Sequence, residues 1–135
     1  MITENFVSFE TAKLLKEKGF EAYTLMVYKL PSQLLHIDKE YLVGNNNCIT
    51  KGDSIEILAP THQMAMKWLR EKHNKHCDIG YDIDLEWYFQ IINLKETVEY
   101  DYPEPKYYHS ENETNFKTYE EAVEAALKYV LVNLI

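Results

Sequence analysis

Apolar side chains recur at helical spacing in three stretches of the chain and at alternating spacing in others. Behind Ser8, the residues Phe9, Ala12, Leu14 and Leu15 form a stripe that predicts a helix over about 9–18. Ser8 carries the short polar side chain that caps a first turn. Gly19 can take the left-handed conformation that ends a last turn, with Phe20 folding back onto it. A second helix is expected over about 61–73, where Pro60 precedes it, Met64, Ala65, Trp68 and Leu69 share a face, and Asn74 can close it. Near the end, Thr118 and Glu121 form a T-x-x-E capping box. Behind it Ala122, Val123, Ala125, Ala126, Leu127, Tyr129, Val130, Leu131 and Leu134 predict a mostly buried helix to about Asn133.

The strands are read from period 2. Residues 22–30, AYTLMVYKL, read as a strand ended by Pro31. Residues 31–53 carry turn signals at Pro31-Ser32, Gly44-Asn45-Asn46-Asn47 and Lys51-Gly52-Asp53, so they read as irregular. Leu34, Leu35, Ile37, Tyr41, Leu42 and Val43 are too apolar for a free linker, and the segment is expected to pack. Ser54–Leu58 reads as a short strand. Further on, Ile79, Tyr81, Ile83, Leu85 and Trp87 alternate with Gly80, Asp82, Asp84 and Glu86, which puts the acids on one strand face. Residues 87–94 are apolar on both parities, as in a central strand. One strand from 76 to 94 would be unusually long, so a turn is expected within 82–86. Thr97–Tyr102 reads as a third strand stopped by Pro103 and Pro105, and 103–117 as a polar loop. The order is α-β-(irregular)-α-β-β-β-α. It predicts one α+β domain over residues 1–135, an antiparallel sheet packed on helices.

A chain of 135 residues, 46% hydrophobic and 27% charged, can bury a core without disulfide or metal staples. No apolar run approaches the roughly 20 residues of a membrane-spanning helix. MITENFVSFE lacks the basic start and apolar stretch of a secretory signal, so a cytoplasmic protein with reduced Cys48 and Cys77 is expected. Cys48 falls in an expected loop, and Cys77 follows an expected helix end.

The net charge of −8 is unevenly placed. Residues 1–77 hold ten Lys and Arg against nine Asp and Glu, whereas residues 78–135 hold four Lys against thirteen acids. Such a field repels phosphate and attracts basic partners, so direct nucleic-acid binding is not expected. Eleven tyrosines add to the picture, with Tyr100, Tyr102, Tyr107 and Tyr108 clustered around two prolines beside the acidic stretch. Tyrosine offers a large contact area with a polar tip, a common choice at interfaces.

Three blocks resemble a known group of sequences: Ser8 to Phe20 (SFETAKLLKEKGF), Ala59 to Glu71 (APTHQMAMKWLRE) and Tyr119 to Tyr129 (YEEAVEAALKY). Together they look like small uncharacterised proteins of gut Bacteroidetes, their phages and mobile elements. That resemblance carries no activity or catalytic residues. Residues 61–134 also resemble, in topology alone, a double-stranded-RNA-binding domain, which grips phosphates with lysines at the start of its last helix. Here that position reads Thr118-Tyr119-Glu120-Glu121, followed by Glu124, so the resemblance in order implies no RNA binding.

No catalytic constellation emerges. His73-Asn74-Lys75-His76-Cys77 has metal-ligand types, but His36, His62, His109 and Cys48 are scattered, and no second paired spacing completes a four-ligand zinc site. Asp82, Asp84 and Glu86 lack the glycine and distant glutamate of a calcium loop. Ser8, Ser32, Ser54 and Ser110 sit in no nucleophile motif, and the four glycines form no phosphate loop. Neighbouring His76 and Cys77 would point to opposite faces of a strand. No metal, cofactor or catalytic residue is therefore assigned. The expectation is a small acidic interaction protein that binds a basic partner protein or itself. Its surface would be built from Asp82, Asp84, Glu86, Glu99, Tyr100, Asp101, Tyr102, Glu104, Tyr107 and Tyr108. The alternative is a small-ligand protein or enzyme with a pocket between sheet and helices, where His62, His73 or His76 would converge.

Overall fold

The computed structural model describes residues 2, 4–22, 24, 26–37, 48–51, 54–99, 103–108 and 113–135. The protein is α+β, its described strands pair antiparallel, and its helices fall where the periodicity puts them. The chain forms two compact units, Met1–Ala65 and Met66–Ile135.

In the first unit, helix α1 (Phe9–Glu17) begins where Ser8 Oγ accepts from Thr11 N–H at 3.2 Å. It ends in a Schellman turn: Phe20 N–H donates to Leu15 O and Gly19 N–H to Lys16 O, with Gly19 at φ +80°. Ala12, Leu15 and Phe20 are buried with Val27 and Leu58. Each fully buried Leu or Phe contributes roughly 1.5–3 kcal/mol. Strands β1 (Met26–Leu30), β2 (Leu34–Ile37), β3 (Cys48–Lys51) and β4 (Ser54–Ala59) make a sheet of order β2-β1-β4-β3. The segment 31–53 is thus not wholly irregular, since β2 and β3 lie in it and Cys48 opens a strand rather than sitting in a loop. Pro31-Ser32-Gln33 makes the β1–β2 turn, closed by Gln33 N–H to Lys29 O at 2.7 Å. Pro31-Ser32 marked a turn in the sequence, but Gln33 takes a left-handed φ of 58° there, a conformation usually left to Gly or Asn, so the return strand after it was not signalled. The turn signals at 44–47 and 52–53, and Tyr41, Leu42 and Val43, lie outside the described residues.

Helix α2 (His62–His73) is capped by Thr61, whose Oγ1 accepts from Met64 N–H at 3.2 Å, and Asn74 takes φ 55° just after it. His62, Ala65, Met66 and Leu69 are buried, while Met64 and Trp68 are only half-buried.

The second unit holds β5 (Lys75–Asp82), β6 (Glu86–Glu99) and β7 (Pro103–Tyr108) in that sheet order, followed by helix α3 (Tyr119–Asn133). The expected turn occupies 83–85. Two expectations are overturned. Thr97–Glu99 end the long central strand rather than form a separate one. Pro103 and Pro105 do not stop a strand but lie within β7, in a region read as loop. β7 is an edge, and the prolines, two residues apart, remove donors from one side of it only; an edge has a side with no ladder to break. Leu94, Lys95 and Glu96 have no counterpart in β7 and form a bulge. Asn93 holds it: buried at 3% exposure, it accepts from Lys95 N–H at 3.0 Å and donates to Tyr108 Oη at 3.1 Å.

α3 is buried along Ala122, Val123, Ala126, Leu127, Val130 and Leu131. Thr118 Oγ1 accepts from Glu121 N–H at 3.1 Å. The returning carboxylate of Glu121 accepts from Lys117 N–H, one residue before the position a capping box would use.

Candidate functional site

Among the described residues, β7 pairs with 91–99 of β6 and not with 86–90. The segment just before α3 takes its place. Asn115 N–H donates to Leu85 O at 2.8 Å, Trp87 and Phe116 exchange bonds of 3.2 and 3.0 Å, and Phe89 N–H donates to Glu113 O at 2.9 Å. Lys117 Nζ forks onto both carboxylate oxygens of Glu86, at 3.0 and 2.9 Å. Edge-to-face contacts run from Tyr81 to Trp87 to Tyr119, with centroids 5.3 and 5.6 Å apart.

The β5–β6 hairpin is therefore braced below its tip on one side by 113–117. The tip itself is tied by Asp82, whose Oδ1 accepts from Asp84 N–H at 2.8 Å, and by Glu86 at a left-handed φ of 55°. On this fixed turn Ile83 is 85% exposed and Leu85 41%, and Tyr81, at the end of β5, is 61% exposed; exposed Asp82 and Asp84 are interleaved with them. Sequence alternation put Asp82, Asp84 and Glu86 on one strand face and these apolar residues on the other, with a turn expected within 82–86. The turn at 83–85 breaks the period of 2, so Ile83 and Leu85 have no buried face to reach, whereas Tyr81 stays in β5 opposite Trp87. Their combination with Asp82 and Asp84, in a stretch where a turn was expected, was the available signal.

The expected surface is divided by β6. Asp82, Asp84 and Glu86 lie at its first end. Glu99 closes the strand and Glu104 sits on β7 at the other end, roughly 40 Å of strand away at ~3.3 Å per residue. Tyr100, Asp101 and Tyr102 lie outside the described residues, as do His109 and Ser110. Tyr107 pairs with Ile92 and Tyr108 with Ile91, so the two neighbours point to opposite faces of the sheet. Tyr108 is not part of an acidic patch. Lys75 and Lys106 lie over its ring at 5.5 and 5.4 Å. Lys106 also pairs with Glu96 at 3.0 Å. That hydrogen bond holds the Glu96 carboxyl below its usual range and raises the Lys106 ammonium.

Cys77 is buried in β5, and burial pushes its thiol up to about 12, against a weaker opposite pull from Arg70. A thiol held that far from ionisation is a poor nucleophile. Its neighbour His76 faces the other side of the strand. His62 opens α2 and His73 closes it, about 16 Å apart along a helix. Neither lines the groove of 480 Å³ on the α1 side, which is bounded by Phe9, Glu10, Lys13, Leu14, Glu17 and Gln33. Among the described residues, no three His, Cys, Asp or Glu side chains are grouped to hold a metal ion, and no helix is long and apolar enough to cross a membrane.

No family model, curated protein or solved structure matches the chain.

Proposed function

We propose that this chain is a small, non-enzymatic, cytoplasmic interaction protein, in keeping with its resemblance to the small proteins of Bacteroidetes and their phages. Its β5–β6 hairpin tip docks on a partner protein with an apolar recess rimmed by Lys or Arg. One observation carries the reading: Ile83 and Leu85 on a braced turn, and Tyr81 just before it, are presented to solvent and alternate with the carboxylates of Asp82 and Asp84. Covering a side chain such as Ile83 gains roughly 1.5–3 kcal/mol. The braces fix the turn before binding, so little ordering entropy opposes that gain. The carboxylates, in a chain of net charge −8, select a basic rim and speed encounter. The exposed acids Glu120 and Glu121 in the first turn of α3 repel phosphate, which supports a protein rather than a nucleic acid as the partner.

The test compares the tagged wild type with Ile83→Ser and with Asp82→Asn/Asp84→Asn in co-purification from host lysate. The reading expects one stoichiometric basic protein with the wild type at low salt. Ile83→Ser should lose it, and both high salt and the double variant should weaken it. A partner retained equally by all three proteins would overturn the assignment to the tip.

A further inference from the structure

Among the described residues, strand β2 is paired on one side only, by β1, and is an outer strand of the four-stranded sheet. An outer strand offers a row of unpaired N–H and C=O groups, and proteins normally guard it with charges, prolines or irregularity. The other outer strands here do so. β5 carries Lys75, Asp78 and Asp82; β7 carries Pro103, Glu104, Pro105 and Lys106; β3 ends on Lys51. β2 reads Leu34-Leu35-His36-Ile37, with no charge, proline or glycine, and it runs against β1 in unbroken register from Met26↔Ile37 to Lys29↔Leu34. Leu34 is 60% exposed and Ile37 63%.

We infer that β2 is a self-association edge, and that its occupant is β2 of a second copy of this chain. Antiparallel pairing about a two-fold axis normal to the sheet would join the two sheets into one of eight strands, β3-β4-β1-β2-β2-β1-β4-β3. Charge argues for a second copy. Two chains of −8 repel, so a contact between them is favoured where charge is least. From Ala22 to Ile37 the only charged residue is Lys29, and it lies 3.8 Å from Glu56. A basic partner would find no carboxylate on this strand to recognise. Four residues of strand bury less than the ~1,200 Å² of a stable complex, so the dimer is weak and reversible.

The inference is independent of the hairpin tip, and its signature differs. Backbone pairing and apolar burial are insensitive to salt, whereas the tip contact is weakened by it. Sedimentation equilibrium of the full chain over about a hundredfold concentration range, at low and high salt, should show a monomer–dimer equilibrium that salt does not dissolve. Leu34→Lys/Ile37→Lys, both at exposed positions, should weaken it by at least about tenfold, as like charges meet across the edge. Ile83→Ser should leave it unchanged. Hydrogen exchange of the wild type at high against low concentration should protect β2 amides selectively. A wild type monomeric throughout, a dimer retained by the lysine variant, or a dimer lost with Ile83→Ser would each overturn the inference.

Discussion

Gly80 and Tyr88 face each other across the β5–β6 ladder, and the phenol ring of Tyr88 lies over the space where a Gly80 side chain would be. A Cβ at Gly80 would stand 2.9 Å from Tyr88 Cε1 and closer still to Cζ and the hydroxyl. The glycine is thus a seat for the ring, the aromatic cover that compensates a weak strand position.

Gly80→Val should therefore destabilise the protein by about 1–3 kcal/mol, the usual cost of overpacking. Chemical denaturation should show most of that cost disappearing in a Tyr88→Ala background, since the two sites share one space. Additive effects would mean that the ring is free to swing away.

Asn93 should tolerate no apolar replacement. Asn93→Leu strands Lys95 N–H and the Tyr108 hydroxyl at the bulge. The expected loss is about 1–3 kcal/mol for the unsatisfied groups. Measured by denaturant midpoint, it should exceed that of Lys106→Ala, which breaks an exposed ion pair and a contact over the Tyr108 ring.

The Cys77 thiol should resist alkylation at pH 8 in the folded protein and react once guanidinium unfolds it, measured in a Cys48→Ser background. Its ordinary value is 9.0 and burial raises it to about 12. Above about pH 9 the unfolded chain gives up this proton first, so the unfolded state binds fewer protons and stability falls as pH rises. The stability difference between wild type and Cys77→Ala should narrow over the same range.

Display and bracing at the hairpin should separate by mutation. Ile83→Ser, at an 85% exposed position, should change stability by no more than about 0.5 kcal/mol. Trp87→Ala removes the ring between Tyr81 and Tyr119 and should cost about 3 kcal/mol. Thermal melts of the two variants decide it.

The helices were legible because their caps are local: Ser8, Thr118 and Gly19 act within a few residues of where they stand. The central strand was legible at 87–94 because both of its faces are apolar. The β7 strand was not, since Pro103 and Pro105 are admissible only at an edge, and edge position is a tertiary fact. The turn at Pro31-Ser32 was legible, but β2 after it was not, because the left-handed position of that turn is Gln33 rather than glycine. The expected surface included the tip acids Asp82 and Asp84 but not the exposed apolar residues Tyr81, Ile83 and Leu85 that alternate with them.

The tip is also tied to a helix. The residues that bond to Leu85, Trp87 and Phe89 run directly into the cap of α3, so the first turn of α3 cannot peel away without taking those partners with it. Hairpin and helix end thus form one cooperative opening unit. Whatever seats itself on Ile83 would also slow hydrogen exchange at Asn115 and Phe116, making the α3 end a distant reporter of occupancy.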